Sequence, residues 1–203
     1  MPTHSGGLPI HFQPVSRIQP PSRARRADAE RNRAKILGAA RAAFADLGAE
    51  ISMAEISRRA GVGMATLYRN FPGRRELLEA LYTQEVNAVC EAAGTLEAQT
   101  PGAVLAAWLH RFFAFITSKQ PVGAELLKHS GESAPVMGES RRRVTAAGRP
   151  LLLAAQRAYE IREDLTLEQV LDMIVAIASI HGESEYLEPI LQAALDGLRP
   201  PER

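Results

Sequence analysis

The chain has 203 residues, of which 46% are hydrophobic and 23% are charged, and its formal net charge is +1. This composition is typical of a globular protein of one or two small domains. The longest apolar stretch, residues 170–180, is too short to span a membrane, and the N-terminus lacks the apolar run of a secretory signal. The single cysteine, Cys90, excludes an intrachain disulfide, so we expect a reducing, cytoplasmic location.

The charges are unevenly distributed along the chain. Residues 1–83 contain 13 arginines and lysines and 7 acidic residues, a net charge of +6, and the other 120 residues carry −5. A basic N-terminal part on an acidic body indicates a polyanionic partner for the first part alone.

Residues 1–27 contain five prolines and no sustained apolar period, a pattern typical of a disordered arm. The basic end of this arm, residues 23–26, is a candidate for contact with a minor groove or with phosphates, and a tail without a partner is the alternative. From Asp28 onward, apolar residues recur with a helical period and no segment shows sustained alternation with period two. We therefore predict an all-α fold.

The predicted helices follow one another with short breaks. Thr166 and Gln169 predict a capping box at the start of a helix that ends near Ile180. Pro121 predicts the start of a short helix, and Pro150 predicts a kink or a break in the helix expected over residues 138–160. The other predicted helices cover 28–47, a short segment between residues 52 and 61, 64–70, 74–93, 101–119 and 183–197.

The short helix after residue 52 has clear local signals. Ser52 and Glu55 have the spacing of a capping box, which predicts a helix N-terminus. Ile51 and Ile56 have the spacing of the hydrophobic staple that accompanies such a box. Gly61 permits the left-handed backbone conformation that ends a helix in a tight turn.

A second short helix, residues 64–70, follows this turn, and Pro72 ends it because proline disfavours helical geometry in the residue before it. Two short helices joined by a tight turn are typical of a helix-turn-helix DNA-binding unit. The residues expected to pack the helix crossing are Ile56, Ala60, Val62 and Leu67. The outward side chains of the second helix are short or form hydrogen bonds, which suits base edges and phosphates in a major groove.

Residues 33–82 resemble the DNA-binding domain of the TetR family of transcriptional regulators. The residues that carry the resemblance, at matching spacings, are Ala60-Gly61-Val62, Ala65-Thr66-Leu67-Tyr68, Phe71 and Arg74. The resemblance implies an all-α protein with an N-terminal three-helix helix-turn-helix DNA-binding domain and a C-terminal helical ligand-binding and dimerisation domain. We place the basic arm at residues 1–27, the DNA-binding domain at 28–83 and the C-terminal domain at 84–203, with the fourth helix linking the two domains.

Nine residues are expected to contact operator DNA. Ser52 lies at a helix N-terminus, where backbone N–H groups bind phosphate. Thr66 and Tyr68 match positions of the family's phosphate and base contacts, and Arg74 and Arg75 are expected to hold the flanking DNA backbone. The full set is Ser52, Met64, Ala65, Thr66, Tyr68, Arg69, Asn70, Arg74 and Arg75.

One recognition helix reads too few base pairs for useful specificity, so we expect a homodimer whose recognition helices lie roughly 34–36 Å apart. The helices expected over 166–180 and 183–197 are apolar over more than one face. This indicates that one side packs on the chain's own core and the other on the partner, with burial within one chain as the alternative. The candidate interface residues are Val170, Ile174, Ile177, Tyr186, Ile190 and Leu191.

The resemblance also implies a small-molecule effector, and we expect no other cofactor. The pocket of such an effector needs apolar walls and a few polar groups that fix the ligand's orientation. The candidates that combine these features are Trp108, His110, Phe112, Phe113, His129 and Tyr159.

The five histidines show no metal-ligand spacing, and the sequence has no phosphate-binding loop, nucleophile elbow or HExxH motif, so we expect no enzymatic activity. The leading hypothesis is a regulator, specifically a repressor that a small molecule releases from a palindromic operator. A ligand-independent transcription regulator and a helical protein-interaction adaptor are the alternatives. The expected partners are double-stranded operator DNA, a second copy of the chain and the effector. We expect no association with a membrane.

Overall fold

The computed structural model describes residues 23–47, 51–128 and 130–200. Within these ranges the chain forms helices and no strand, as the all-α prediction requires. The helices are α1 (Arg23–Leu47), α2 (Met53–Ala60), α3 (Met64–Asn70), α4 (Arg74–Thr95), α5 (Pro101–Lys128), α6 (Ser130–Arg157), α7 (Leu167–Ala178) and α8 (Ser184–Asp196).

The buried side chains form two separate apolar clusters. The N-terminal core joins α1, α2, α3, the first half of α4 and the end of α5, and its centre contains Ile36, Ile56 and Leu67. The C-terminal core joins the second half of α4 with α5, α6, α7 and α8 around Trp108. The side chain of Tyr82 packs against both clusters, so α4 is a structural element of each.

Several helix boundaries differ from the sequence-based prediction. The arm was predicted to extend through residue 27, but α1 begins at Arg23, because the arginines and alanines of this stretch have high helix propensity. Residues 1–22 of the predicted arm lie outside the described residues. Helix α4 continues to Thr95, two residues past the predicted end at residue 93, and Leu96 caps it.

Pro121 does not begin a new helix, contrary to the prediction, and Pro150 does not break α6, although the predicted alternative of a kink stays a prediction. Helix α5 continues through Pro121 to Lys128, and α6 is one helix that contains both Pro135 and Pro150. A proline inside a helix removes one hydrogen bond and crowds the preceding turn. Because α6 packs against α4, α5 and α7, tertiary contacts offset that local cost. The predicted capping box of Thr166 is present, since its side chain and that of Gln169 bond reciprocally to backbone N–H groups.

Trp108 is the largest side chain in the C-terminal core and is fully buried. Its indole Nε1 donates a hydrogen bond to the Val89 carbonyl oxygen at 3.0 Å, and its ring stacks on Phe112 with the centroids 6.2 Å apart. The backbone of α6 approaches this ring at Gly148, where an added Cβ atom would overlap the indole. The packing of α6 on α5 therefore requires a residue without a side chain at position 148.

None of the described helices is both long and apolar enough to cross a membrane.

Two glycine substitutions in α6 test the packing of this helix against the Trp108 ring. We expect Gly148→Ala to lower the free energy of unfolding by about 1–2 kcal/mol, because overpacking outweighs the gain in helix propensity. Gly138→Ala lies in the same helix, where an added Cβ meets no atom within 4 Å. It should raise that free energy by about 0.4–1 kcal/mol, because alanine restricts the unfolded chain. Urea unfolding monitored by circular dichroism measures both values, and a shift of the same sign in the two variants would contradict the close approach.

Candidate nucleic-acid interface

Helix α3 presents one face to solvent and buries the other. Leu67 is fully buried in the N-terminal core, and Phe71 at the end of the helix is buried beside it. On the opposite face Met64 is 38% exposed and Tyr68 is 46% exposed, with Ala65 and Arg69 also exposed. The spacing of these four positions by one, four and five residues places them on one side of the helix. The structure thus brings together, on one exposed face, four of the nine residues that are expected to contact DNA.

The turn between α2 and α3 has the geometry of a Schellman motif. Gly61 adopts φ = 64°, and its N–H donates to the Arg58 carbonyl, while the Val62 N–H donates to the Ser57 carbonyl at 3.2 Å. These bonds satisfy two carbonyls at the end of α2. The Ser57 hydroxyl, which is buried, also donates to the Val62 carbonyl at 2.7 Å. The hydrogen bonds of one serine and one glycine therefore set the direction in which α3 leaves the turn.

Ser57 was missed by the sequence analysis. It lies four residues after Met53 and one after Ile56, on the inward face of α2. A hydroxyl residue at an inward position of a short amphipathic helix is a readable signal, because a buried hydroxyl requires a hydrogen-bond partner.

Ser52 is the N-cap of α2, as predicted, and its Oγ accepts a hydrogen bond from the Glu55 N–H at 3.2 Å. In a full capping box the Glu55 carboxylate would accept a hydrogen bond from the Ser52 N–H. Here that carboxylate pairs with Arg58 and Arg59, with N–O distances of 2.7 and 2.9 Å. Arg59 also donates to Asp46 of α1 at 2.7 Å. This network connects α2 to α1, and its hydrogen bonds from the two guanidinium groups lower the pKa of Glu55 to about 2.

Polar contacts hold the C-terminal end of α3. The Asn70 side chain donates to the Thr66 carbonyl at 2.8 Å, and Arg69 donates to the Thr66 hydroxyl at 3.0 Å. Arg33 of α1 donates to the Asn70 carbonyl at 3.3 Å, and its guanidinium carbon lies 4.4 Å from the centroid of the Phe71 ring. Asn70 is half-buried and one N–H of its amide is bonded back to its own helix, and its expected contact with DNA stays a prediction.

Arg33 is a second residue that sequence reasoning missed. Its contacts join residues 37 positions apart in the chain, and no local pattern marks them. Its cation–π contact with Phe71 fixes α1 against the end of α3.

Arg74 has internal partners in the chain, and its expected contact with the DNA backbone stays a prediction. Its guanidinium donates to the Ile51 carbonyl, lies 5.3 Å from the centroid of Phe44 and approaches Glu125 at 3.9 Å. These internal contacts form because the first turn of α4 lies beside the loop before α2. This position places the Arg74 side chain over the N-terminal core. Arg75 pairs with Glu76 and Glu79 of its own helix, and its expected contact with DNA likewise stays a prediction.

The candidates for the effector pocket divide into two groups. Trp108, Phe112 and Phe113 are buried in the C-terminal core, where they pack against other apolar side chains. His110 and Tyr159 both line a cavity of about 610 Å³ between the start of α5, the end of α6 and the end of α8. His129 lies outside the described residues.

Four of the predicted interface residues were assigned to the wrong face. Helix α7 packs on α5, α6 and α8, and the inward stripes of α7 and α8 are buried in the C-terminal core of the chain itself. Tyr186 is 60% exposed and Ile190 is half-buried, so these two candidates remain accessible. The four buried candidates are Val170, Ile174, Ile177 and Leu191.

The described part of the chain contains no group of three or more histidine, cysteine, aspartate or glutamate side chains arranged to hold a metal ion.

A pair of substitutions tests the turn between α2 and α3. Gly61→Ala should lower the free energy of unfolding by about 1–2 kcal/mol, because a residue with a Cβ atom is strained in the left-handed region. Gly63→Ser is the control: the backbone there is extended, an added Cβ meets open space, and the hydroxyl can cap α3. It should leave stability unchanged or raise it by a few tenths of a kcal/mol. Equal effects of the two variants, measured by urea unfolding, would contradict the assigned roles.

The Glu55 network predicts a dependence of stability on pH. Because the folded-state pKa is about 2, below the ordinary value of 4.5, the stabilisation is complete above pH 4.5 and is lost as the pH falls toward 2. Glu55→Gln should therefore be less stable than the unmodified chain at pH 6, and the difference should shrink between pH 4.5 and 2. Urea titrations over this range, with exposed Glu97→Gln as the charge control, measure it. A difference that does not vary with pH would show that the carboxylate is not held by the two arginines.

The comparisons with known proteins agree with this architecture. The family model described as "Bacterial regulatory proteins, tetR family" matches residues 36–81, and the model described as "Transcriptional regulator SbtR-like, C-terminal domain" matches residues 100–200. An uncharacterized HTH-type transcriptional regulator of Mycobacterium bovis is 39% identical over 56 residues, which are 27% of this chain. That alignment spans 30% of the relative's own length.

Two solved structures are similar to most of this chain. The TetR transcriptional regulator SCO0520 from Streptomyces coelicolor is 35% identical, with 84% of this chain and 99% of that chain covered and a TM-score of 0.69. The TetR transcription regulatory protein from Mycobacterium vanbaalenii is 31% identical, with 86% and 99% covered and a TM-score of 0.69. From the helix-turn-helix geometry, both family models and these relatives, we conclude that the chain belongs to the TetR family of transcriptional regulators.

Proposed function

We propose that this regulator is a dimeric repressor that binds a palindromic operator through α3 and is released from it by a small-molecule effector. The observation that carries the proposal is the exposed face of α3, where Met64, Tyr68 and Arg69 project from a helix anchored by buried Leu67. A helix mounted in this way enters a major groove with its side chains already positioned.

The chemistry of this face suits direct readout of bases. The Arg69 guanidinium can bond a guanine edge or a phosphate, and the Tyr68 hydroxyl can donate to a phosphate oxygen. The methyl groups of Met64 and Ala65 offer apolar contact with thymine. The hydrogen bond from Arg69 to Thr66 at 3.0 Å orders the guanidinium before any DNA is bound.

Dimerisation is assigned to the outer surface of α7 and α8. Val175, Ile180 and Tyr186 are exposed apolar side chains on or directly after these helices. The inward stripe of these helices is already buried within the chain, so these exposed side chains provide the apolar face for a partner. A second copy packed on this face by two-fold symmetry would present two copies of α3 to successive turns of DNA.

Two helices connect the effector-binding part with the DNA-binding part in this proposal. Helix α4 contributes Leu77 and Leu81 to the N-terminal core and Val86 to the C-terminal core. Helix α5 contributes Val122 and Leu126 to the N-terminal core. An effector that favours a different placement of α4 or α5 would shift the population away from the DNA-competent spacing of the two α3 helices.

DNA binding by purified protein tests the proposal. The probe is duplex DNA that flanks the coding region, supplemented by selection from a random-sequence pool. We expect saturable binding that falls steeply with salt, because arginines release counterions from phosphates. Tyr68→Ala and Arg69→Ala should each weaken operator binding by about tenfold or more.

Arg142→Ala is the matched control, since Arg142 is an exposed helical arginine of the C-terminal part that pairs with Glu139. It should change operator affinity by less than about twofold. If a folded dimer selects no sequence from the pool, the proposal fails and the protein-interaction adaptor becomes the better hypothesis. If DNA binding is specific and no small molecule releases it, the chain is a ligand-independent regulator.

A further inference from the structure

The residue that follows the end of α6 has an unusual backbone. Tyr159 adopts φ = 58°, the one positive φ at a non-glycine position among the described residues. Its N–H donates to the Gln156 carbonyl at 2.9 Å, and the Glu160 N–H donates to the Ala155 carbonyl at 3.1 Å. These are the two bonds of a Schellman motif, in which glycine normally occupies the position of Tyr159. A side chain at this position costs free energy of folding.

The Tyr159 ring does not recover that cost within the chain. Its side chain is 80% exposed, the largest exposure among the exposed large hydrophobic residues. An aromatic ring held in a strained backbone and left in solvent contributes little to the fold. Backbone strain of this kind occurs at functional sites, where the side chain has a contact outside the chain.

Tyr159 is one of the residues that line the cavity of about 610 Å³ described above. This volume is within the range of small-molecule sites. The apolar part of the lining includes Ile161 and Leu195, and the polar part includes His110 and Gln192. The cavity therefore offers the combination of apolar and polar surface that an amphipathic ligand needs.

The charged groups at this cavity are mostly acidic. Glu160 lines it and accepts a hydrogen bond from the Gly102 N–H at 2.7 Å. Asp196 also lines it and pairs with Arg199 at 3.1 Å. Glu188 stands at its edge, with its carboxylate 3.6 Å from Nδ1 of His110. Asp196 and Arg199 form an ion pair with each other, so the carboxylate of Glu160 is the lining charge without an opposite charge among the lining residues, and it favours a cationic ligand over an anionic one.

We infer that this cavity binds an amphipathic organic cation, with the ammonium group against the Tyr159 ring and the Glu160 carboxylate and the apolar part against Ile161 and Leu195. Tyrosine faces attract ammonium groups through the ring quadrupole. Binding in the cavity is a property of the chain alone, whereas its use as the effector site rests on the proposed function.

The test measures binding to the full chain without DNA. The probe is benzyltrimethylammonium, compared with benzyl alcohol as the neutral analogue and benzenesulfonate as the anion, by isothermal calorimetry and by NMR titration. We expect the cation to bind at least about fivefold more tightly than either analogue. Glu160→Gln keeps an acceptor for the Gly102 N–H and should weaken cation binding by about fivefold or more without unfolding the chain.

Tyr159→Gly separates a binding role from a structural one. It should raise the unfolding temperature, because glycine relieves the strained backbone, and it should weaken cation binding by about fivefold or more. A purely structural role predicts the rise in stability with unchanged binding, and that result overturns the inference. The inference is also overturned if the neutral analogue binds as tightly as the cation or if the cation does not bind. A change of oligomeric state in Tyr159→Gly, without cation binding, overturns it as well.

A DNA-release assay with the same cation distinguishes the two proposals. Cation binding that depends on Tyr159, together with absent operator binding, supports the cavity site and counts against the repressor function. Operator binding without any cation affinity supports a DNA-binding regulator and removes the cavity as its effector site.

Discussion

The burial of Leu67 in the N-terminal core is the interaction on which the DNA-binding unit depends. Helices α2 and α3 have eight and seven residues, too few to be stable as isolated helices in water. Leu67 gives α3 its tertiary anchor, and the Schellman turn at Gly61 gives it its direction. Ser57 stabilises that turn through a buried hydrogen bond. The exposed side chains of α3 are therefore positioned by the inward face of the same few residues, and a change in this packing would move all of them together.

Two cores that share α4 and α5 also constrain how the protein can respond to a ligand. The first half of α4 packs in the N-terminal core and the second half in the C-terminal core. The fully buried Trp108 ring fills the space between α5 and α6, and its bond to the Val89 carbonyl fixes α4 against α5. A close-packed centre of this kind transmits rigid-body displacements rather than absorbing them. In the proposed mechanism, a ligand bound at the start of α5 would therefore act through the tilt of whole helices.

Features with a local chemical cause could be predicted from the sequence. The caps at Ser52 and Thr166, the left-handed Gly61 and the buried Leu67 each follow from residues within a few positions of one another. Features that depend on tertiary contacts could not. The internal role of Arg74 depends on a carbonyl 23 residues earlier. The continuity of α6 through its prolines depends on its neighbours. An apolar stripe likewise indicates that a helix face is buried, without indicating which partner buries it.

The charge of the N-terminal part is another property whose meaning depends on tertiary contacts that the sequence does not indicate. Residues 1–83 contain more basic than acidic residues, which indicates a polyanionic partner. Much of that positive charge, however, is paired with carboxylates of the chain itself. Arg58 and Arg59 share Glu55, Arg75 pairs with Glu76, and Arg74 approaches Glu125. Counterion release depends on the cations that reach phosphates and not on the formal charge of a domain. The salt dependence of DNA binding should therefore be set by a few residues such as Arg69, and it should be weaker than the count of arginines implies.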